Sequence, residues 1–245
     1  MIVTKESSHL YFFYSNRKRY NEISTDNNIK VNNMVQNIDQ SCICRRMSKC
    51  KMIFAFSVVL TILIKLSSLD AACPGVVTKK EWDGLSPLHV QYLPRPVSLV
   101  IIQHTVTPTC STDAACEDIV RSIQNVLMEQ NNFWDIGMSF LIGGNGKVYE
   151  GTGWLHVGAH TYGYNSKSIG ISFIGNYNND EPKPEALEAA KALIKCGVEQ
   201  GHLTPDYHLV GHKQLVATES PGRKLYREIR TWPHYLADVT SIKNA

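Results

Sequence analysis

The cysteines beyond residue 72 constrain this chain more than any other feature. There are four of them, Cys73, Cys110, Cys116 and Cys196. They follow a leader with the layout of a secretory signal: basic residues around Lys49 and Lys51, an apolar run over residues 53–64, then small residues near Ala71 and Ala72. The run is short for a bilayer span, which needs about 20 apolar residues, and Lys65 interrupts it. Residues 47–72 are therefore expected to be a signal peptide that is removed, leaving residues 73–245 secreted, extracellular and free of the membrane. The rival reading is a retained anchor with a cytoplasmic tail. Residues 1–46 are polar and Asn-rich, and read as an unstructured leader or as a mis-assigned start, with translation beginning at Met47 or Met52.

In an oxidising compartment an even cysteine count implies disulfides, and four cysteines allow three connectivities. Cys110 and Cys116 close a short loop just after a strand-like run, so they are paired here. That leaves Cys73 with Cys196, which would pin the N-terminal segment to a late helix.

Charge excludes one class of partner. Residues 1–72 carry ten Lys/Arg against five Asp/Glu, whereas residues 73–245 carry fifteen against seventeen. The basic balance thus belongs to the leader, and the folded part lacks the positive excess of a nucleic-acid binder.

Residues 97–103 form a continuous apolar, β-branched run suited to a strand buried on both faces. Residues 112–130 place Ile119, Val120, Ile123, Val126 and Leu127 at helical spacing, with Thr112 as N-cap. Residues 139–142 and 147–150 flank an Asn145-Gly146 turn and read as a hairpin. Residues 169–174 form another strand, 184–199 a second helix, and 207–210 a short strand. A last helix carries Leu225, Tyr226 and Ile229, with Ser220 as its cap. Strands alternating with helices predict an α/β fold: a single domain with a central mixed β-sheet flanked by helices.

Nine histidines invite a search for metal sites. His156 and His160 are four apart, as are His208 and His212, but neither pair sits on a helix, where that spacing would converge. Elementary motif reasoning ends at a secreted α/β domain with two disulfides.

The matching strings that go further are spread over residues 73–235. They include Cys73-Pro-Gly-Val-Val77 with Glu81-Trp82, Val100-Ile-Ile-Gln-His-Thr105, Asp135-Ile-Gly137, Phe140-Leu-Ile-Gly-Gly144 and Val148-Tyr-Glu-Gly-Thr-Gly-Trp154. Gly158-Ala-His160, Ser168-Ile-Gly-Ile-Ser-Phe-Ile-Gly-Asn176, Gly211-His212, Glu219-Ser-Pro-Gly222 and Thr231-Trp-Pro-His234 follow in order. Together they resemble a peptidoglycan recognition protein domain, the animal relative of phage-type zinc amidases. Thr161-Tyr-Gly-Tyr-Asn165 resembles the short secreted insect members that act upstream of the Toll pathway. The resemblance implies a zinc-amidase-like fold and bacterial peptidoglycan as ligand. It further implies a β-glucan-recognition-like protein and a serine protease cascade as signalling partners.

Catalytic members of that family hold zinc with two His and one Cys beside a Tyr. The matching positions here are Gln103, His212 and Ser220, with Met138 at the tyrosine. Zinc favours His nitrogen and Cys sulfur, and methionine offers no phenol. The resemblance therefore implies no catalytic residues, a degenerate zinc site, no metal and no other cofactor. His104 is not expected to replace Gln103, because adjacent strand residues face opposite ways.

Ligand contacts implied by the resemblance are His104, Thr105, Asn132, Phe133, Thr152, Trp154, His160, Tyr162, Asn165 and His212, with Trp154 as a wall. Asn132-Phe133 and the absence of Arg at Thr152 match relatives that prefer lysine-type stem peptides. Leu127 and Asn131 stand where a lysine-binding relative has His and Arg.

Overall fold

The computed structural model describes residue 73 and residues 75–244. The expected leader (residues 1–46) and the whole of the expected signal segment (residues 47–72) lie outside the described residues. No described helix is long and apolar enough to cross a membrane.

The sheet is mixed and six-stranded, as the alternating pattern predicts. Its strands are β1 (Val76–Val77), β2 (Val97–His104), β3 (Phe140–Ile142), β4 (Val148–Glu150), β5 (Ile169–Phe173) and β6 (Leu203–Gly211), in the spatial order β1-β4-β3-β5-β2-β6. Only β3 and β4 pair antiparallel; every other neighbour is parallel. That antiparallel pair is the expected hairpin, and Gly146 supplies its positive φ of 77°.

Burial on both faces explains the apolar strands. Val100 and Ile102 of β2 join Phe140, Ile142, Ile171 and Phe173 in a core covered by helices α2 (Pro184–Glu199) and α3 (Arg223–Ile229). Leu141, Tyr149 and Ile174 face the other way, against Val120 of helix α1 (Asp113–Asn125) and the buried Trp82. Leu99 and Ile101 pack with Val210 and Leu215 in a third cluster. A short helix α4 (Thr240–Lys243) follows.

Both disulfides form as paired from the sequence. Cys110–Cys116 sits at the start of α1, and Cys73–Cys196 joins the residue just before β1 to α2, with Cα atoms 5.1 and 5.8 Å apart. Thr112 caps α1 as expected, its Oγ1 accepting from Ala115 N at 3.3 Å.

Three local expectations differ from the structure. Strand β6 starts four residues before the expected strand and runs through Pro205. It is an edge strand, where proline's missing N–H costs no ladder bond. The expected helix over residues 112–130 is α-helical only to Asn125 and continues as a π turn, Val126–Gln130. Its exit is fixed by Phe133 N donating to Leu127 O at 2.9 Å and by Asn132 at φ 56°. Finally, Ser220 does not cap α3. That position belongs to Gly222 at φ 86°, while Ser220 Oγ accepts the His104 backbone N–H at 3.1 Å.

Candidate functional site

The parallel strands β2 and β5 end together, where Gln103 and His104 pair with Ser172 and Phe173. The crevice outside such strand ends is a favoured ligand position in α/β sheets. Here it opens into a cleft of about 590 Å³, within the range of about 300–1,000 Å³ usual for ligand pockets. Gln103, His104, Thr105, His160, Ser172, His212, Glu219 and Ser220 form its polar side. Ile123, Val126, Leu127, Phe133 and Met138 form an apolar side.

Gln103 and His104 both border this cleft, where the resemblance puts them. They leave β2 on opposite faces. Gln103 donates from Nε2 to His160 O and to Thr161 Oγ1, both at 3.0 Å. His104 follows the face of Ile102, and its Nδ1 accepts from Tyr177 N at 3.2 Å. The cleft lies across the strand's end, so it meets both faces.

The 158–168 loop is tied down from two sides. Besides Gln103, Asn165 Oδ1 accepts from His160 N at 3.0 Å and Thr161 N at 2.7 Å. Asn165 therefore shapes the loop beside the cleft rather than the cleft surface. Tyr162, on the same loop, is 92% exposed and lies outside the cleft lining.

Three imidazoles meet here as neutral groups. Burial holds His160 down to about 3, with His212 adding to the effect. Burial holds His212 down to about 4, with His104 adding to it. His104 is also lowered by burial, partly opposed by Glu219.

The other expected contacts divide. Thr105 and Phe133 line the main cleft. Phe133 also borders a second cavity of about 200 Å³, and Asn132 and Thr152 line only that one. Thr152 is buried, and its hydroxyl has no hydrogen-bond partner among the described residues. Trp154 does not form a cleft wall. It packs into the core against Phe140 at 4.7 Å and stacks on His202 at 4.9 Å. An indole offers so much apolar area that a core position outcompetes a solvent-facing one. Leu127 lines the cleft; Asn131 is exposed and does not.

Sequence reasoning missed Thr161, whose buried hydroxyl joins Gln103 to the His160 ring at 3.1 Å. Its sequence signals are adjacency to His160 and its place at the head of the Thr161–Asn165 string. Ile123 and Val126 were read as core residues of a helix, a pattern that cannot tell a core face from a cleft wall.

The donors at the three positions that the resemblance matches to zinc ligands, Gln103, His212 and Ser220, do not fit that metal. Gln103 spends its amide N–H groups on the loop, and Ser220 Oγ takes a backbone N–H. Only His212 offers the nitrogen or sulfur that zinc favours. Among the described residues, no group of three or more His, Cys, Asp and Glu could hold a metal ion.

The N-acetylmuramoyl-L-alanine amidase family model matches residues 93–224. A peptidoglycan recognition protein of Trichoplusia ni is 73% identical over 162 residues, covering 66% of this chain and 89% of that protein. The chain belongs to the peptidoglycan recognition proteins. Peptidoglycan recognition protein 1 of Manduca sexta, a solved structure, is 59% identical with a TM-score of 0.67, covering 69% of this chain and 97% of that one. A human member solved in complex with a glycosamyl muramyl pentapeptide is 41% identical with a TM-score of 0.65, covering 67% of this chain and 99% of that one. Membership in the family accounts for the amidase-like fold.

Proposed function

We propose that this protein is a secreted peptidoglycan-binding receptor that has no zinc-amidase activity. The observation that carries the reading is the state of the ligand positions. Gln103 and Ser220 are hydrogen-bonded into the backbone around the cleft, and Met138 stands at the position of the catalytic tyrosine. A zinc amidase needs three protein ligands and an open fourth position for water; this cleft keeps one of the three. What remains is a polar wall facing an apolar wall, suited to hold a peptide without cutting it. The human relative in complex with a muramyl pentapeptide supports the ligand class.

The reading extends to three finer points. Lysine-type stem peptides are preferred, because Thr152 offers no charge to the extra carboxylate of diaminopimelate. A charged hydrogen bond of that kind contributes about 1.5–3 kcal/mol. The placement of Thr152 in the second cavity, joined to the cleft through Phe133, supports a role beside the stem peptide. Downstream, the protein engages a β-glucan-recognition-like protein and a serine protease cascade that triggers Toll-type signalling. That last step rests on the resemblance to short insect members.

The test is a paired assay on the purified protein. Insoluble lysine-type peptidoglycan is incubated with it and excess Zn²⁺, and pull-down and release of free amino termini are scored together. Binding without release is expected. Zinc-dependent release would make the protein an enzyme, and tighter capture of diaminopimelate-type fragments would overturn the preference.

A further inference from the structure

The exposed apolar side chains are not scattered over the molecule. Among the described residues, nine large ones stand exposed. Val106 and Val126 line the main cleft, and Tyr162 sits on the loop beside it. The other six, Leu85, Leu88, Val90, Tyr92, Trp134 and Leu155, lie outside that cleft. Single exposed apolar residues need no explanation, but a contiguous group marks a surface that something covers.

Local contacts join these six into one strip. The His89 ring meets Trp134 edge-on at 4.5 Å, and Tyr92 lies 5.5 Å from the His156 ring. Leu88 N donates to Trp134 O, Leu93 N to Leu155 O and Val157 N to Gln91 O, each at 2.8 Å. At the far end Gln124 grips Leu85 twice, accepting from its N at 2.7 Å and donating to its O at 3.0 Å. The same Nε2 reaches Asp135 Oδ1, beside Trp134, at 3.2 Å. Residues 85–93 are thus no frayed loop. Their backbone is fixed before any partner arrives, which lowers the ordering cost of binding.

The charges point to the partner. Residues 85–94 contain no Asp, Glu, Lys or Arg. The neighbouring carboxylate of Asp135 is buried and ion-paired with Lys79. Across a two-fold axis a surface meets its own copy, so a charged strip would set like charges together, at a cost. An uncharged apolar strip complements itself. Its ends are flanked by the exposed Asp83 and Arg95, of opposite sign. Two strips that cross at a perpendicular two-fold axis run antiparallel, which sets each Asp83 end against an Arg95 end. The six side chains expose on the order of 600 Å², near the roughly 800 Å² per partner of a standard interface.

We infer that this strip is the face through which two copies of the chain pair about a two-fold axis. Trp134 and Tyr92 are its aromatic anchors, and Asp83 and Arg95 set its direction. None of the six residues lines the main cleft, so both clefts of the pair stay open. The area is modest, and the dimer is accordingly weak, with a dissociation constant on the order of 10 µM. The pairing does not depend on the ligand of the cleft.

The test is sedimentation velocity of the full chain over a concentration series. The wild-type protein is expected to pass from monomer to dimer around that constant. Leu88→Glu places a carboxylate on each side of the axis, and Trp134→Ser removes an anchor. Each should weaken the dimer about tenfold or more, with melting temperatures within about 3 °C of wild type showing that the variants fold. Asp83→Lys should weaken it about three- to tenfold, and adding Arg95→Glu should restore it. A wild-type chain that stays monomeric at about ten times the stated constant overturns the proposal. So does a dimer that ignores Leu88→Glu and Trp134→Ser, or a charge swap that fails to rescue. Co-sedimentation of a monomeric wild-type chain with phosphatidylcholine vesicles, lost in Leu88→Glu, would assign the strip to a lipid surface instead and overturn the pairing.

Discussion

The two walls of the cleft are built on different principles. The strand-end wall, with Gln103, His104, His160 and Ser220, is held by a hydrogen-bonded lattice that Thr161 and Asn165 complete from behind. The helix-side wall, with Ile123, Val126, Leu127 and Met138, is apolar and includes part of a π turn. Hydrogen-bonded networks fix one geometry and lose heavily when one member is removed. Apolar walls tolerate substitutions that conserve volume. The comparison teaches that one cleft can join a fixed half to a forgiving one: the positions that resemble zinc ligands are tied by hydrogen bonds, and the wall that faces them is not.

The strongest way to break this contrast is to turn the polar wall back into a metal site. The double variant Gln103→His and Ser220→Cys, with His212 retained, is expected to bind zinc. At a thousandfold excess over Kd the metal should stabilise the variant by about 4 kcal/mol, read as a rise in the urea midpoint that a chelator reverses. The wild-type protein should show no such shift.

Gln103→Leu should come next in size. It removes the donor to the His160 carbonyl and one of the two hydrogen bonds of the Thr161 hydroxyl, for a loss of about 2–4 kcal/mol in urea unfolding. A loss below about 1 kcal/mol would mean that the lattice is not the fixed half of the site.

Acid should weaken the polar wall selectively. The folded protein holds His160 at about 3 and His212 at about 4, below the ordinary value of 6.5. The unfolded chain therefore takes up protons first on acidification. The stability these neutral rings confer is complete above pH 6.5 and is lost as pH falls toward 4. Urea midpoints should decline over that window, and His160→Gln should flatten the decline.

The smallest effect is expected opposite. Leu127→Met should cost less than about 1.5 kcal/mol and change muramyl pentapeptide affinity by less than about threefold, measured by calorimetry. A larger loss would show that the helix-side wall is as exacting as the strand-end wall.

Much of this architecture is legible in the sequence because burial leaves periodic marks. The apolar run ending at Gln103, the Thr112 cap and the two cysteine pairs all follow from local rules. The π turn does not, since Val126 and Leu127 continue the helical spacing while the backbone changes its hydrogen-bond partner. The place of Trp154 is equally hidden, because a glycine-flanked indole looks the same whether it faces a ligand or packs beside Phe140. Ser220 misleads for a related reason: a serine before a helix has the pattern of a cap, yet its hydroxyl is drawn across the fold to the end of β2. The positions of the site are marked by family strings, but its working contacts run between residues as far apart as His104 and Ser220.

The Cys73–Cys196 bridge has a further consequence at the rim of the sheet. Strand β1 is only two residues long, pairs with β4 alone, and follows the bridged Cys73 after three residues. So short a ribbon has little hold of its own, and the bridge keeps it over the outer backbone of β4. Unclasped by a reductant, residues 73–77 would release a row of N–H and C=O groups ready to zip onto another chain. The covalent link thus serves as a guard against sticking as much as a brace against unfolding, and a reduced sample should scatter light increasingly with concentration while an oxidised one stays clear.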